Sequence, residues 1–347
     1  DERAREHVGW NAQAHADPTS SAGSCVSQTQ VMPDQPPMVE QQSDPKLTSD
    51  QFLNAFPNAI GETPGNILGY RSVSIGPPLN LTAPIDYACQ FWVATTDNAG
   101  NSASVVATMV VPHDWNGVLV ANNYAIDSLG LECNPSYTMV SGVQLEVPDA
   151  TNQLLQQRYA VVLVDYQGRH MAYADGRTGG PAVLDGIRGA LKLLPRGPSS
   201  GQVQVAMLGY SGGAIATLWA ASMQPSYAPE LRIIGVAVGG SPVDLRVLPP
   251  MMDGGPGNGL LFGGAFGVAR AYHPQYGTLG LLTGNPIGQL IAEAFKDQCT
   301  VTLITAGAIS SVVGLVMADL TLRGLYSDPR VQQVFQETAL TNQPVPQ

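Results

Sequence analysis

Four short apolar runs separated by helical segments constrain the fold of this chain most strongly. Each run is rich in Val, Leu, Ile or Ala and is apolar throughout instead of alternating; the runs lie at residues 117–121, 159–164, 203–208 and 233–238. Such runs are typical of strands covered on both faces. Helices are predicted between them, at 148–157, 180–194 and 212–223. Strands that alternate with helices predict a parallel sheet wound by right-handed crossovers.

Other parts of the chain frame this core. Residues 88–95 and 103–111 alternate in hydrophobicity around a turn-forming stretch, which predicts an antiparallel hairpin leading into the sheet. After residue 244, glycine pairs and long apolar helices replace the alternation, which indicates a helical insertion above the sheet. The predicted organisation is therefore an extended polar arm at 1–48, the first part of an α/β core at 49–244, a helical cap at 245–328, and a return to the core at 329–347.

Composition narrows the class of protein. Only 12% of residues are charged, and the net charge of −11, from 16 basic and 27 acidic residues, argues against nucleic acid as a partner. The four cysteines, Cys25, Cys89, Cys133 and Cys299, form no C-x-x-C pair, so a zinc or thioredoxin-type site is not expected. Two disulfides in an exported protein fit better, and the residues alone leave all three pairings open. The start at Asp1, without methionine, fits removal of a signal peptide.

The run at 203–208 leads directly into Gly209-Tyr210-Ser211-Gly212-Gly213 and then a predicted helix. This is the G-x-S-x-G pattern in the strand–turn–helix context that it requires. A serine on such a turn has a strained backbone and presents its hydroxyl above the sheet edge, while the small flanking residues keep strand and helix apart. The amide that follows can stabilise an oxyanion. The pattern predicts a nucleophilic serine; the alternative is a glycine-rich turn without catalytic function.

Several joined blocks of sequence carry a resemblance. Besides 209–214, they are 224–231 (Gln-Pro-Ser-Tyr-Ala-Pro-Glu-Leu), 64–68 with Arg71, 125–128 (Ala-Ile-Asp-Ser) with 133–136 (Cys-Asn-Pro-Ser), and 165–168 (Asp-Tyr-Gln-Gly) with 182–188. Together they resemble the secretory lipases typified by Candida antarctica lipase A, from about Leu47 to the end. The resemblance implies an α/β-hydrolase fold with a mostly parallel sheet, flanking helices and a helical cap or lid. It also implies a secreted lipase or carboxylesterase that acts on acylglycerols or related lipid esters without metal or organic cofactor.

The resemblance assigns roles to individual residues. Ser211 becomes the nucleophile, and the amides of Gly212 and Asp127 become the oxyanion hole. Asp127 also follows the strand predicted at 117–121, so topology alone brings it to the catalytic edge; the alternative is a turn-forming aspartate. Cys133 and Cys299 resemble the family's bridge between main domain and cap, which leaves Cys25 and Cys89 to pair with each other.

A catalytic triad of this fold also needs an acid and a histidine, in the order serine, acid, histidine. Of the five histidines, only His273 follows Ser211, and it falls in the predicted cap; all five are expected to be surface or cap residues. We therefore expect the acid and the histidine to lie outside this chain, on a second polypeptide from the same precursor, on a disordered segment or in a deleted part. The rival hypothesis is a non-catalytic lipid- or ligand-binding protein on a hydrolase scaffold.

Two features bear on contact with lipid. The uncharged run at 298–318 is long enough to cross a bilayer but is interrupted by Thr, Ser and Gly, which favours a helix buried in the cap or facing a lipid substrate. Transient contact with a lipid interface is therefore expected rather than a membrane span. Met251, Met252, Leu260, Leu261 and Phe262 suit either an acyl-binding surface or the core of the cap.

Overall fold

A single mixed sheet organises the molecule. The computed structural model describes residue 25 and residues 43–75, 81–141, 148–194, 203–312 and 325–344. Its seven strands lie in the order β1-β2-β3-β5-β4-β6-β7. The strands are β1 (Ile67–Val73), β2 (Ile85–Thr96), β3 (Ser102–Pro112), β4 (Val118–Asn123), β5 (Ala160–Val164), β6 (Gln204–Tyr210) and β7 (Ile233–Gly239).

The sheet has an antiparallel part and a parallel part. The predicted hairpin is β2 and β3, which pair antiparallel from Ile85↔Pro112 to Thr96↔Ser102, and β1 adds to it antiparallel. Strand β3 pairs antiparallel with β5, and from there β5, β4, β6 and β7 run parallel. The four parallel strands are those predicted from the uniformly apolar runs.

Helices cover both faces of the sheet. They are α1 (Pro135–Ser141), α2 (Pro148–Gln156), α3 (Gly176–Leu193) and α4 (Gly212–Tyr227). Val161 and Leu163 of β5 pack with residues of α1 and α2, whereas Val162 and Val164 pack with residues of α3 and α4. Successive side chains of a strand point to opposite faces, so β5 is buried on both sides. This explains why its sequence is apolar throughout.

Strand β7 departs from that expectation. Its run was predicted to be covered on both faces, but Ile234, Val236 and Val238 are 51%, 41% and 40% exposed. The prediction of two-sided burial is therefore wrong for β7. The physical reason is position, because β7 is the edge of the described sheet and pairs with β6 alone.

The described residues of the predicted cap contain helices and no strand. The helices are α5 (Leu248–Met252), α6 (Asn258–Tyr276), α7 (Leu279–Thr283), α8 (Pro286–Phe295) and α9 (Thr300–Val312). Phe262, Phe266 and Leu303 are buried in a cluster that also takes in Leu129 and Tyr173 from the core. Of the five apolar residues with two possible roles, Phe262 thus packs in the cap core, whereas Met251 is 77% exposed.

The long uncharged run becomes α9 as far as residue 312; residues 313–318 lie outside the described part of the chain. None of the described helices combines the length and the apolar character needed to cross a membrane. Helix α10 (Pro329–Thr338) follows, with Asp328 as its N-cap accepting a hydrogen bond from the Arg330 amide at 2.8 Å.

Two disulfides tie distant parts together. Cys133, just before α1, is bonded to Cys299, just before α9, across a sequence separation of 166 residues. Cys25 is bonded to Cys89 of β2. The predicted arm otherwise lies outside the described residues up to 42, and near its end the Lys46 amide donates to Asp297 Oδ1 at 2.7 Å.

Candidate active site

Ser211 occupies a sharp turn between β6 and α4. Its backbone has φ 53° and ψ −121°, a positive φ that is uncommon for a residue with a side chain. The Ser211 amide donates to Gly239 O at 3.0 Å, so the end of β7 supports the turn. The local geometry is that of a serine hydroxyl held above the carboxyl edge of a parallel sheet.

Two glycines of the motif are required by close approach. A Cβ atom on Gly213 would lie 1.7 Å from the carbonyl oxygen of Asn123, and one on Gly209 would lie 2.4 Å from Thr217 Oγ1. Helix α4 therefore packs directly against the end of β4, with no room for a methyl group. Tyr210 behaves differently, because its side chain is 65% exposed and its ring lies beside the end of β7 at Gly239.

Asp127 faces Ser211. It follows β4, has φ 42°, and is only 3% exposed. Its carboxylate accepts a hydrogen bond from Ser211 Oγ at 2.7 Å and one from the Gly212 amide at 3.1 Å. Burial raises the pKa of this carboxyl to about 6, although the bonds from Ser211, from Gly212 and from its own amide favour the charged form.

The sequence predicted a role for the Asp127 amide but did not predict that the Asp127 side chain bonds to Ser211. The glycine at position 212 is the sequence signal for this contact, because a Cβ atom there would lie 2.0 Å from Asp127 Oδ1. Only glycine leaves room for the carboxylate. The result is a site where the hydroxyl of Ser211 and the amides of Gly212 and Asp127 converge on one oxygen-bearing group. Converging donors of this kind favour a negatively charged oxygen.

Two core residues hold the loop that carries Asp127. The hydroxyl of Tyr166 accepts from the Ile126 amide at 3.1 Å and donates to Tyr124 O at 2.9 Å. Gln167 Nε2 donates to Ser128 O at 2.7 Å. Both residues follow β5, so the neighbouring strand fixes the loop at the sheet edge.

None of the described histidines hydrogen-bonds to Ser211. His113 is exposed and pairs with Asp86 at 2.8 Å, and His170 pairs with Asp44 at 3.1 Å. His273 lies within α6. His7 and His15 fall outside the described residues.

Other polar residues of the blocks that carry the resemblance have structural surroundings. Asp185 forms an ion pair with Arg188 at 2.8 Å on α3. Asp165 accepts from the Ser136 amide at 3.0 Å, and burial raises its pKa to about 7. These residues brace helices against the sheet and do not contact Ser211.

Comparison with known proteins identifies relatives of the chain. The family model described as secretory lipase matches residues 136–347. The secreted triacylglycerol lipase LIP1 of Malassezia furfur is 32% identical over 308 residues, which is 85% of this chain and 61% of that protein. Lipase A of Moesziomyces aphidis is 37% identical over 243 residues, 67% of this chain and 51% of that protein. The chain spans 46% to 61% of the length of these and two other curated relatives.

Solved structures give the same result for the fold. Candida antarctica lipase A superposes with a TM-score of 0.73 at 28% identity, covering 84% of this chain and 70% of the other. The cell wall degrading esterase LipA of Xanthomonas oryzae, at 17% identity, shares the fold with a TM-score of 0.61 over 80% of each chain. The predicted α/β-hydrolase fold is confirmed. The secretory relatives and the two disulfides confirm the predicted export.

Proposed function

The chain belongs to the secretory lipase family, and on that premise we propose that it hydrolyses lipid carboxylic esters through an acyl-enzyme formed on Ser211. The observation that carries the proposal is the convergence of the Ser211 hydroxyl and the Gly212 amide on the Asp127 carboxylate. The carboxylate takes the position of a charged oxygen next to the serine. An ester oxyanion formed beside Ser211 would accept a hydrogen bond from the Gly212 amide in the same way.

The reaction divides into two steps. Ser211 Oγ attacks the ester carbonyl carbon while its proton passes to a base, and the carbonyl oxygen becomes an oxyanion held by the amides of Gly212 and Asp127. Collapse of this intermediate expels the alcohol, which takes up the proton. Water then attacks the acyl-enzyme in the same way and releases the acid. During each attack the oxyanion takes over the hydrogen bonds from the amides of Gly212 and Asp127, whereas the bond from the Ser211 hydroxyl to the Asp127 carboxylate is lost when that hydroxyl gives up its proton.

In this proposal, the general base and the acid that orients it lie next to β7. Parallel strands bring their carboxyl ends to one edge of a sheet, which here is the edge of Ser211. The side of β7 away from β6 has no partner strand among the described residues, and its apolar side chains are exposed. An exposed apolar edge strand is normally covered or paired. We infer that strands carrying the acid and the histidine pair there, from the same precursor, whether joined to this chain or cut from it.

In this proposal, the cap helices contact the interface between lipid and water. Large apolar side chains are exposed on two successive helices: Ile287 and Leu290 of α8, and Val301, Ile304 and Ile309 of α9. Leu290 is 71% exposed. Single exposed apolar residues are normal, but five on two successive cap helices favour contact with an apolar phase. The proposed substrates are therefore acylglycerols or similar esters presented at an interface.

Covalent labelling tests the proposal. The full-length protein is treated with a fluorophosphonate, and the adduct is located by mass spectrometry of every polypeptide present. We expect one adduct, on Ser211, and none in Ser211→Ala. The control is Ser226→Ala, on the exposed end of α4, which should label like the parent.

A second candidate function is a lipid-binding protein without catalysis. The observation that favours it is that Ser211 Oγ bonds to a carboxylate and, within the described ranges, to no histidine. Such a protein needs no activated serine. Lipid binding without any adduct on Ser211 in the full-length protein would therefore favour this second function over ester hydrolysis.

A further inference from the structure

The cap reaches the loop that carries Asp127, residues 124–128, at Thr300. Thr300 is the first residue of α9 and is 6% exposed. Its hydroxyl donates to Ile126 O at 2.6 Å and lies 3.2 Å from Asp127 O. Its amide donates to Ser128 Oγ at 2.9 Å. Residues more than 170 positions apart in sequence are thus joined by direct hydrogen bonds.

The bond to Ile126 O has a geometric consequence. The Ile126 carbonyl and the Asp127 amide belong to one peptide unit, which is planar, and in a trans peptide the C=O and N–H bonds point in opposite directions. Fixing the direction of the Ile126 carbonyl therefore fixes the direction of the Asp127 N–H. The Asp127 amide favours the charged form of its own carboxyl, whose side chain faces Ser211. Thr300 holds one end of the peptide whose other end is the proposed oxyanion donor.

The loop needs this support because its backbone is strained. Asp127 has φ 42°, a conformation that is unfavourable for a residue with a side chain and persists only where its surroundings enforce it. Ser128 Oγ also donates to Ile126 O, so both hydroxyls converge on that carbonyl. A rotation of the Ile126–Asp127 peptide would relieve the strain but break both bonds.

Neighbouring contacts hold the start of α9 in register with the loop. The Leu129 amide donates to Gln298 O at 2.9 Å, and the Cys133–Cys299 disulfide joins the two segments covalently. A Cβ atom on Gly130 would lie 2.3 Å from Asp297 O, so the two backbones touch. The start of α9 and the loop are therefore coupled mechanically.

We propose that Thr300 is a positioning residue for ester hydrolysis: by holding the Ile126 carbonyl, it aims the Asp127 amide at the oxyanion and makes the oxyanion hole depend on the placement of the cap. This inference rests on the proposed function. Thr300 itself does not contact the substrate.

The test is Thr300→Val in the full-length protein, which removes the hydroxyl and keeps the shape and the backbone amide. Loss of one oxyanion donor costs about 10²–10³ in kcat, and because a misdirected donor keeps part of its effect, we expect kcat for a soluble p-nitrophenyl ester to fall about 10- to 100-fold. KM should change less than about twofold, since the carbonyl becomes charged only in the transition state. Thr300→Ser should restore kcat.

The matched control is Thr305→Val on the same helix. Among the described residues, Thr305 Oγ1 donates to Val301 O alone, one turn earlier, so the kcat of this variant should equal that of the parent. Affinity for a trifluoromethyl ketone, which forms a charged tetrahedral adduct with serine, should fall in Thr300→Val by the same factor as kcat.

Each outcome decides between the hypotheses. An active parent with unchanged kcat in Thr300→Val, or a loss that Thr300→Ser does not restore, overturns the positioning function while leaving ester hydrolysis intact. A parent without esterase activity or Ser211 labelling removes the proposed function instead. If Thr300→Val does not fold, Thr300→Ala replaces it, because it also removes the donor to Ile126 O; unchanged kcat there also overturns the inference.

Discussion

Replacing Asp127 by asparagine should change how stability depends on pH. The Asp127 carboxyl is buried, its partners are the neutral groups of Ser211 and Gly212, and its pKa is raised from 3.8 to about 6. A group whose pKa is higher in the folded protein binds protons more tightly there than in the unfolded chain. Its contribution to stability is therefore fully present below 3.8 and is lost as pH rises through about 6.

The magnitude follows from the two pKa values. A difference of one pKa unit corresponds to about 1.4 kcal/mol, so ionising Asp127 in the folded protein costs up to about 3 kcal/mol of stability at pH 8. The side chain of the Asp127→Asn variant is neutral at every pH and carries no such cost. We expect the free energy of unfolding of Asp127→Asn, relative to the parent, to increase by up to about 3 kcal/mol between pH 4 and pH 8.

Urea unfolding of both proteins at several pH values between 4 and 8 measures this difference. Burial also raises the pKa values of Asp165 and Asp175, to about 7 and about 6, but both residues are present in the two proteins and their contributions cancel. Asp328→Asn is the control: the Arg330 side chain lowers the pKa of Asp328 to about 2, so above pH 5 its effect should be constant. A constant difference for Asp127→Asn as well would refute the reasoning, because it would mean that Asp127 titrates alike in the folded and unfolded chains.

Two further substitutions test the nucleophile turn and the cap surface. Gly213→Ala should destabilise the protein by at least about 2 kcal/mol in thermal or urea unfolding, since its Cβ would lie 1.7 Å from Asn123 O, whereas Gly280→Ala, with nothing within 4 Å, should not destabilise it. Equal stability of the two variants would contradict the packing argument. Leu290→Ser should weaken adsorption to triacylglycerol droplets without changing hydrolysis of a soluble ester, while Ile60→Ser, similarly exposed but outside the cap, should change neither. Unchanged adsorption in Leu290→Ser would place the lipid-binding surface elsewhere.

Local sequence predicts the strands and the nucleophile turn well, for a physical reason. The run at 159–164 is apolar because helices cover both faces of β5, so that every side chain of the strand is buried. The turn at 209–213 can also be predicted from its own residues, because the close packing of α4 on β4 leaves room for only glycine at position 213. In both cases one short segment records its own surroundings.

Contacts between distant segments cannot be predicted from local sequence in this way. The apolar run of β7 looks like that of β5, yet β7 lies at an edge of the described sheet, and its neighbour is not encoded in its own residues. The bond from Thr300 to Ile126 joins two unremarkable positions, a threonine in an uncharged run and an isoleucine after a strand. Spacing cannot reveal such a contact, because it depends on how the cap folds back over the sheet.

The proposed oxyanion hole combines both kinds of information. The turn itself fixes the direction of the Gly212 amide, because Gly212 follows Ser211 directly and is the first residue of α4. The Asp127 amide depends instead on a peptide held between Tyr166 of the core, which accepts from the Ile126 amide, and Thr300 of the cap, which donates to the Ile126 carbonyl. One donor is therefore built in wherever the motif occurs, while the other requires that the cap be docked. In the proposed function the nucleophile is therefore always present, whereas the oxyanion hole is complete only when α9 is in place, so cap movement should alter kcat even for esters too small to touch the cap.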